Sequence, residues 1–480
     1  MSQTTQITFL LNHELLILDV APAMVALDFL RKLRQLTGSK EGCKEGDCGA
    51  CTVIVGELQE ESIQYRPMTS CLLPMGELHG KHLVSIEGLN LDKLSPVQSA
   101  MVDCGGTQCG YCTPGFVVAM TAGLMDPTIS MDSKGHDFAT SGNLCRCTGY
   151  RSIKNAGEQV FENLRKKLEG KPRIEALADL NAIPHYFRAA ADQLASIQSS
   201  TKPQNISTEY TGPIVAGGTD LFVQKGEELP DTNPRLLNRQ KIEAAQEKDG
   251  VVRLDAGMTF EAFARDPLIK EAIPNISDFN DLMASWPVRT RATLAGNICN
   301  ASPIADMTCL LLALEAELAI SSRSGLRIVP LKKFYLRYKQ LAKEPDEVVS
   351  EIRFAKPTER ECVHWEKVSK RKILDIATVN AASKFEVKNS FIARACLAVG
   401  GVAATPLFLQ KASDFLSGKE LTVETVSKCL EIAQSEFNPI SDVRGSASYK
   451  RLLARQLLAS QFTGLFPEKR DQEALYATLR

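Results

Sequence analysis

Roughly the first 80 residues follow a strand-like pattern. ITFLLN and ELLILDV are apolar runs separated by a short polar turn at His13, which predicts a hairpin. In MVALDFLRKLRQLTG the period changes, and apolar residues fall three and four apart. This predicts an amphipathic helix capped at Gly38. TVIVGELQEESIQYRPMTSCLLP then returns to short strands. From about residue 88 the pattern is helical, in SPVQSAMVDCGG, TPGFVVAMTAGLMD and the stretch from Gly149 to Leu168. Pro114 suits the first turn of the second of these helices. Residues 168–180 and 196–213 are polar and poorly periodic, and read as linkers or loops. PIVAGGTDL (213–221) predicts a strand ending in a tight turn at Gly217–Gly218. The last segment opens with HWEKVSKRKILDIATVNAASKFEV and closes with the helical SASYKRLLARQLLASQF (446–462).

The cysteines change this picture from folds to chemistry. Eight of the fourteen sit in two tight groups. Cys43, Cys48, Cys51 and Cys71 follow the C-x4-C-x2-C…C order of plant-type [2Fe–2S] ferredoxins. Gly42, Gly46 and Gly49 interleave them, so the backbone can wrap closely and aim N–H groups at sulfur. Hairpin, helix, metal loop and further strands describe a β-grasp ferredoxin. Cys109, Cys112, Cys145 and Cys147 form the second group, in CGYC and CRC. Placed at the starts of two helices, those thiolates would face positive dipole ends, which favour an anionic cluster. Disulfides are the weaker alternative, because the N-terminus alternates and lacks the basic start of a secretory leader. Zinc is the stronger rival, since Cys104 to Cys112 alone would pass for a zinc knuckle.

Length and composition add bounds. The chain has 480 residues, is 44% hydrophobic and carries a formal net charge of −1, which suggests about three soluble domains. Near-zero charge gives no reason to expect nucleic acid or an anionic membrane as partner. The longest apolar run, CLLLALEAELAI (309–320), holds two glutamates and is too short for a bilayer. Reduced cysteines in a soluble chain point to the cytoplasm. VAGGTDL and the longer TRATLAGNICNASPIADM (290–307) are runs of small residues suited to close backbone approach to a pyrophosphate. The charges Lys367, Lys370 and Arg371 read as a solvated face. No nucleophile or general acid–base pair stands out.

Taken together, these motifs resemble the molybdenum hydroxylases, and among them the FAD- and iron–sulfur-carrying small subunit of the bacterial xanthine dehydrogenase type. The resemblance runs the length of the chain. GCKEGDCGACTVIV is similar to the ferredoxin loop, and QCGYCTPGF with NLCRCTGYR to the second-cluster signature. VAGGTDL and ATLAGNICNASPIAD are similar to the FAD loops, and GGVAATP and SDVRGSASYKRLLA to the C-terminal flavoprotein domain.

The resemblance implies a multidomain α+β chain: a β-grasp ferredoxin domain (1–84), a helical-bundle [2Fe–2S] domain (85–166), a linker (167–180), a two-lobed α+β FAD domain (181–356) and an α+β C-terminal flavoprotein domain (357–480). It implies two [2Fe–2S] clusters on the eight cysteines. Val215, Ala216, Gly217, Gly218, Thr219, Asp220 and Leu221 would hold the FAD pyrophosphate on backbone amides, with Thr293, Gly296 and Asn297 as a second loop. Asp306 would bond the ribityl region, and Lys367 would stand near the flavin. Asp375 falls beside the nicotinamide approach, and Gln108 where the family reaches the pterin of the molybdenum cofactor in a partner chain.

No catalytic residue is implied in this chain itself. Electrons from purine hydroxylation on a large molybdopterin-binding subunit would pass through the clusters to FAD and on to NAD, in a heterotetramer of two small and two large subunits. The same cofactors would also serve an aldehyde or other N-heterocycle hydroxylase, or a non-NAD acceptor. A stand-alone iron–sulfur carrier would account for the first third of the chain, and a zinc-binding module for less. Three features depart from the family: Ala295 in place of the first glycine of Gly-Gly-Asn, Met283 near the place of an aromatic flavin neighbour, and the additional Cys104.

Overall fold

The computed structural model describes residues 4–200, 212–237, 243–466 and 468–477. The chain divides into two compact units, one of residues 1–240 with 285–291, the other of 241–284 with 292–480. Of the expected loop at 196–213, residues 196–200 instead complete the helix Ala190–Ser200, and 201–211 lie outside the described residues.

In the first unit, Thr5–Leu11 and Glu14–Val20 form the expected antiparallel hairpin, turning at Asn12 with φ 54°. Thr5–Leu11 also pairs in parallel with His82–Val84, which joins Thr52–Gln59 and then Ser62–Thr69 in a five-stranded sheet. Strand alternation puts Ile7, Phe9 and Leu11 into one core with Val53, Val55 and Leu83. Leu10 faces the other way, onto Leu194 and Ile197.

The helix expected up to Gly38 is shorter. Ala26–Asp28 makes one α-turn and Phe29–Leu33 a wider π-turn, closed by Arg34 N–H on Phe29 C=O at 3.0 Å. Gln35 then enters left-handed backbone at φ 57°. Arg31 bonds the Thr37 and Ser39 carbonyls, so the side chains satisfy the returning loop and the helix does not continue.

The helical part is built around Thr113–Met125, whose residues from Gly115 to Met125 are all buried. A helix apolar on every side must be the centre of its bundle. Arg151–Leu168 packs one stripe of it inward (Ile153, Ala156, Val160, Phe161, Leu164), and Ser95 and Gln98 close a capping box at the start of Pro96–Asp103. Residues 167–180, expected as a linker, hold the end of that amphipathic helix and a further one, Arg173–Asp179. Ala176, Leu177 and Ala178 of the latter enter the same core, an apolar face hidden by its charged neighbours in the sequence.

Among its described residues the second unit has two five-stranded sheets and a two-stranded ribbon of Tyr335–Arg337 with Gln340–Leu341. Gly325–Pro330, Glu317–Ser322, Val348–Ala355, Val251–Asp255 and Gln246–Lys248 lie in that order, all antiparallel. Glu361–Val368, Val379–Lys388, Phe391–Gly400 and Leu407–Phe408 form the second sheet, with Lys419–Glu420 beside Phe391–Gly400. The apolar run at 309–320 becomes the buried helix Asp306–Ala313 and the strand Glu317–Ser322, with a left-handed turn at Glu315. Cys309, Ala382 and Ala398 share its core. Ala447–Thr463, capped by Ser446, covers the second sheet through Leu458 and Phe462. No helix among the described residues is long and apolar enough to cross a membrane.

Candidate functional site: two thiol groups and the glycine-rich loops

The first thiol group sits on a loop that turns through left-handed backbone at Lys44, Gly46 and Gly49. A Cβ on Gly42 would lie 2.7 Å from Cys48 Sγ, so the loop closes on the sulfur only with glycine there. Backbone N–H groups point inward: Glu45 N–H donates to Cys43 Sγ at 3.3 Å and Cys43 N–H to Cys48 Sγ at 3.4 Å. The thiols associate two and two. Cys51 and Cys71 have their sulfurs 3.3 Å apart, well beyond the roughly 2 Å of a disulfide. Cys43 and Cys48 form the other pair through their side chains.

The second group repeats this arrangement. Cys147 Sγ lies 3.5 Å from Cys109 Sγ, and Cys112 meets Cys145. Cys112 is the N-cap of the central helix, so its sulfur stands at a positive dipole end. The Thr148 hydroxyl donates to Cys145 Sγ at 3.1 Å.

Within each pair one thiol ionises easily and its mate does not. The bond from Cys48 holds Cys43 down at about 5, against burial, and the bond from Cys71 lowers Cys51. The Tyr111 N–H lowers Cys109. Burial opposes ionisation of Cys145, yet the Thr148 hydroxyl and N–H bring it below the usual thiol value. Cys48 and Cys71 are pushed up by the bonds to their mates, as is Cys147; burial, then Cys145, raises Cys112 to about 12. Two thiolates at contact distance resist joint ionisation, and a cationic centre between them removes that resistance. Among the described residues no three His, Cys, Asp or Glu side chains converge on one ion. Two-and-two pairing is what a binuclear [2Fe–2S] cluster uses, and a mononuclear zinc site is not. The residues fit the cluster.

The two groups are joined by backbone. Leu144 N–H donates to Cys48 C=O at 3.0 Å, and Asn143 Nδ2 to Gly49 C=O at 3.1 Å. Tyr111, between Cys109 and Cys112, donates its hydroxyl to Glu41 C=O. Gly49 and Gly115 permit the approach: a Cβ on Gly49 would lie 2.4 Å from Gly142 O, and one on Gly115 2.2 Å from Gly49 O. Gln108 is exposed beside exposed Cys109.

The loop Val215–Leu221 belongs to the same unit. Ile214–Val215 pairs with Arg235–Leu236, and Val215 and Phe222 enter one apolar core with Cys51, Cys71 and Leu72. Gly218 takes φ 70°, where a Cβ would lie 2.7 Å from the Phe222 ring. Gly217 C=O accepts from Arg291 Nη2 at 2.6 Å. Ala216, Gly217 and Gly218 carry no side chain beyond a methyl, and Ala216 and Gly218 are half-buried while Gly217 is buried, a composition that fits a diphosphate held on amides. Asp220 is exposed, and Thr219 and Leu221 are half-buried.

The second unit holds the other candidates. Thr293 caps Leu294–Asn300, its hydroxyl accepting from Gly296 N–H at 3.0 Å. Asn297 Oδ1 accepts from Thr308 N–H and hydroxyl at 3.1 and 2.9 Å. Ala295 lies in the first turn of that helix, and Met283 in the apolar core. Lys367 Nζ donates to Asp306 Oδ2 at 3.0 Å and to Asp375 C=O at 2.9 Å. Asn380 Nδ2 donates to Asp306 Oδ1 at 2.6 Å. Asp375 Oδ2 accepts from Arg371 N–H at 2.8 Å.

Lys367 is therefore not a solvated charge: its side chain is 2% exposed and paired. Thr148, Asn143, Arg291 and Asn380 were not marked by the sequence. Thr148 directly follows CRC, so a hydroxyl beside a sulfur ligand is the one local signal that could have been read. The partners of the other three are distant in sequence or backbone.

Three family descriptions match successive stretches of the chain. They are the [2Fe-2S] binding domain at 85–158, the FAD binding domain in molybdopterin dehydrogenase at 188–357, and the CO dehydrogenase flavoprotein C-terminal domain at 366–464. These descriptions name a [2Fe-2S] binding domain, an FAD binding domain of molybdopterin dehydrogenases and a flavoprotein C-terminal domain, in that order along the chain. The xanthine dehydrogenase of Emericella nidulans is 27% identical over 93% of this chain and 38% of its own length. That of Blastobotrys adeninivorans is 29% identical over 99% of this chain and 42% of its own. The chain thus spans about two fifths of the length of these relatives. Among solved structures, a carbon monoxide dehydrogenase from Hydrogenophaga pseudoflava that lacks the Mo-pyranopterin moiety of its cofactor is 26% identical. It covers 55% of this chain and 89% of its own, at a TM-score of 0.49.

Proposed function

We propose that this chain is the electron-transfer part of a xanthine dehydrogenase. In this reading it takes electrons from a molybdenum site on a partner subunit, through two [2Fe–2S] clusters, to FAD and on to NAD, during hypoxanthine and xanthine hydroxylation. When bound, the flavin supplies the exchange between single electrons and a hydride. The chain's own residues hold, order and tune. The eight paired cysteines are the cluster ligands, and the N–H groups of Glu45, Cys43 and Tyr111 with the Thr148 hydroxyl set sulfur basicity and hence potential.

The first segment reads as a β-grasp ferredoxin. Val215–Leu221 holds the flavin diphosphate and Thr293, Gly296 and Asn297 form a second flavin loop, while Asp306, bonded by Asn380, stands by the ribityl, Lys367 by the ring and Asp375 beside the nicotinamide approach. Exposed Gln108 faces the pterin of the partner, in an assembly of two small and two large chains. The cytoplasm suits this chemistry, because thiols there stay reduced.

One observation carries the reading: Cys51, Cys71, Val215 and Phe222 share a single core. The first thiol group is thereby packed on the flavin loop, while Leu144 bonds it to the second. The xanthine assignment draws on the two relatives named above, both xanthine dehydrogenases, while an aldehyde oxidase of Bos taurus is 26% identical over 91% of this chain. It is tested by purifying the complex through a tag on this chain and following NAD reduction with xanthine or an aldehyde as donor. Xanthine-dependent NADH formation supports it. Aldehyde turnover without xanthine turnover would reassign the substrate.

A further inference from the structure

Arg291 and Glu77 are 214 residues apart in sequence and meet as a fully buried pair, each side chain 2% exposed. Arg291 Nη1 donates to Glu77 Oε2 at 2.7 Å and Nη2 to Glu77 Oε1 at 3.3 Å, a forked contact. The same Nη2 donates to Gly217 C=O at 2.6 Å. Glu77 lies in the buried turn Met75–Leu78, shortly after the sulfur ligand Cys71, and neutralises the guanidinium. Neighbouring side chains pack in the same place: a Cβ on Gly46 would meet Leu72 at 2.8 Å and Val288 at 3.3 Å. The Thr290 hydroxyl donates to Pro67 C=O at 2.9 Å.

A peptide unit is planar and trans, so its C=O and N–H point in opposite directions. A donor that fixes the Gly217 carbonyl therefore fixes the Gly218 N–H on the opposite side. Gly218 sits at φ 70°, and glycine backbone between small neighbours would otherwise choose among several orientations. Burying a charge pair only to hold one carbonyl is costly unless that peptide's direction matters.

We propose that Arg291 is a positioning residue for flavin binding: anchored on Glu77, it latches the Gly217 carbonyl so that the Gly218 N–H faces the flavin diphosphate. The inference rests on the reading of Val215–Leu221 as a flavin loop. Arg291 acts through the loop and does not touch the ligand. Its charge is spent on Glu77, and its Nε–H has no partner among the described residues.

The test uses the full chain, stripped of flavin and titrated with FAD, for the wild type, Arg291→Lys and Glu77→Gln. Lysine keeps a charge opposite Glu77 but loses the planar fork that reaches Gly217 as well. Glutamine keeps the shape and releases the anchor. Both variants are expected to bind FAD about tenfold or more weakly, with iron content and the visible circular dichroism of the clusters unchanged.

Unchanged affinity in both variants overturns the latch. So does tighter binding by Glu77→Gln, which would mean that a freed Arg291 contacts the phosphate directly. Iron lost in step with flavin would make the pair a general structural element and overturn it too. If Arg291→Lys fails to fold, Glu77→Asp, one methylene shorter, replaces it with the same expectation. A wild-type chain that takes no FAD overturns the flavin reading itself, a result distinct from wild-type binding with unaltered variants.

Discussion

Leu144 N–H donates to the carbonyl of Cys48 at 3.0 Å, so the residue before one paired cysteine is bonded to the peptide of a cysteine in the other group. Cys48 and Cys145 are thereby linked through one hydrogen bond and a few covalent bonds, although 97 positions separate them in sequence. The contact depends on Gly49, which at φ 67° lies against the Gly142 carbonyl.

Gly49→Ala should therefore strike both thiol groups at once. The left-handed backbone alone costs about 1–2 kcal/mol for alanine, and the new Cβ must displace a carbonyl. Thermal melts should show the loss of stability, and electron paramagnetic resonance of the reduced chain a weaker magnetic coupling between its clusters. A variant indistinguishable from wild type in both would remove the close approach.

Cysteine substitutions should separate ligands from spectators. Cys71→Ser should lower iron per chain by about half, because one of two clusters loses a ligand. Cys104→Ser should leave iron unchanged, since Cys104 bonds Gln159 at 3.3 Å and stands outside both sets of pairs. Iron analysis of the two purified variants decides.

Lys367→Met removes the cation from a largely buried pair and leaves Asp306, among the described side chains, bonded through Asn380. Breaking a buried pair by deleting one partner costs about 3 kcal/mol or more. The melting temperature should fall and flavin occupancy with it, whereas iron content should hold. A variant with full flavin would place Lys367 away from the binding site.

His82 supplies a pH dependence. Burial pushes its pKa down to about 4 from 6.5, opposed by the bond from its Nε2–H to Asn12 C=O at 2.8 Å. The Tyr65 hydroxyl donates to Nδ1 at 2.9 Å, consistent with the neutral ring. The unfolded chain binds the proton first as pH falls, so this contribution is complete above about 6.5 and is lost progressively down to about 4. The full loss is about 3 kcal/mol. Comparing melts at pH 7 and pH 5, His82→Gln should show a smaller difference than wild type; buried His136 acts in the same direction in both chains and cancels.

What the sequence disclosed was local. Cysteine spacing marked eight side chains that the fold then pairs, because ligand loops are short and carry their glycines with them. Strand alternation marked the hairpin, and the apolar run at Thr113–Met125 marked a helix, which the fold makes the centre of its bundle. Periodicity did not show where the helix near Phe29 would end, since Arg31 and left-handed Gln35 decide that through loop contacts. Nor could it show that Lys367 is buried, because its partners Asp306 and Asn380 come from other elements. Arg291 and Glu77 lie in unremarkable stretches and acquire meaning only through each other.

The proposed electron path joins two iron–sulfur clusters, flavin and a nicotinamide site. Anaerobic titration of the purified chain with NADH, following the flavin and iron–sulfur absorption bands, tests it directly. Both sets of bands are expected to bleach together. Flavin that bleaches while the iron–sulfur bands stay oxidised, or bands that respond to dithionite and not to NADH, would contradict it.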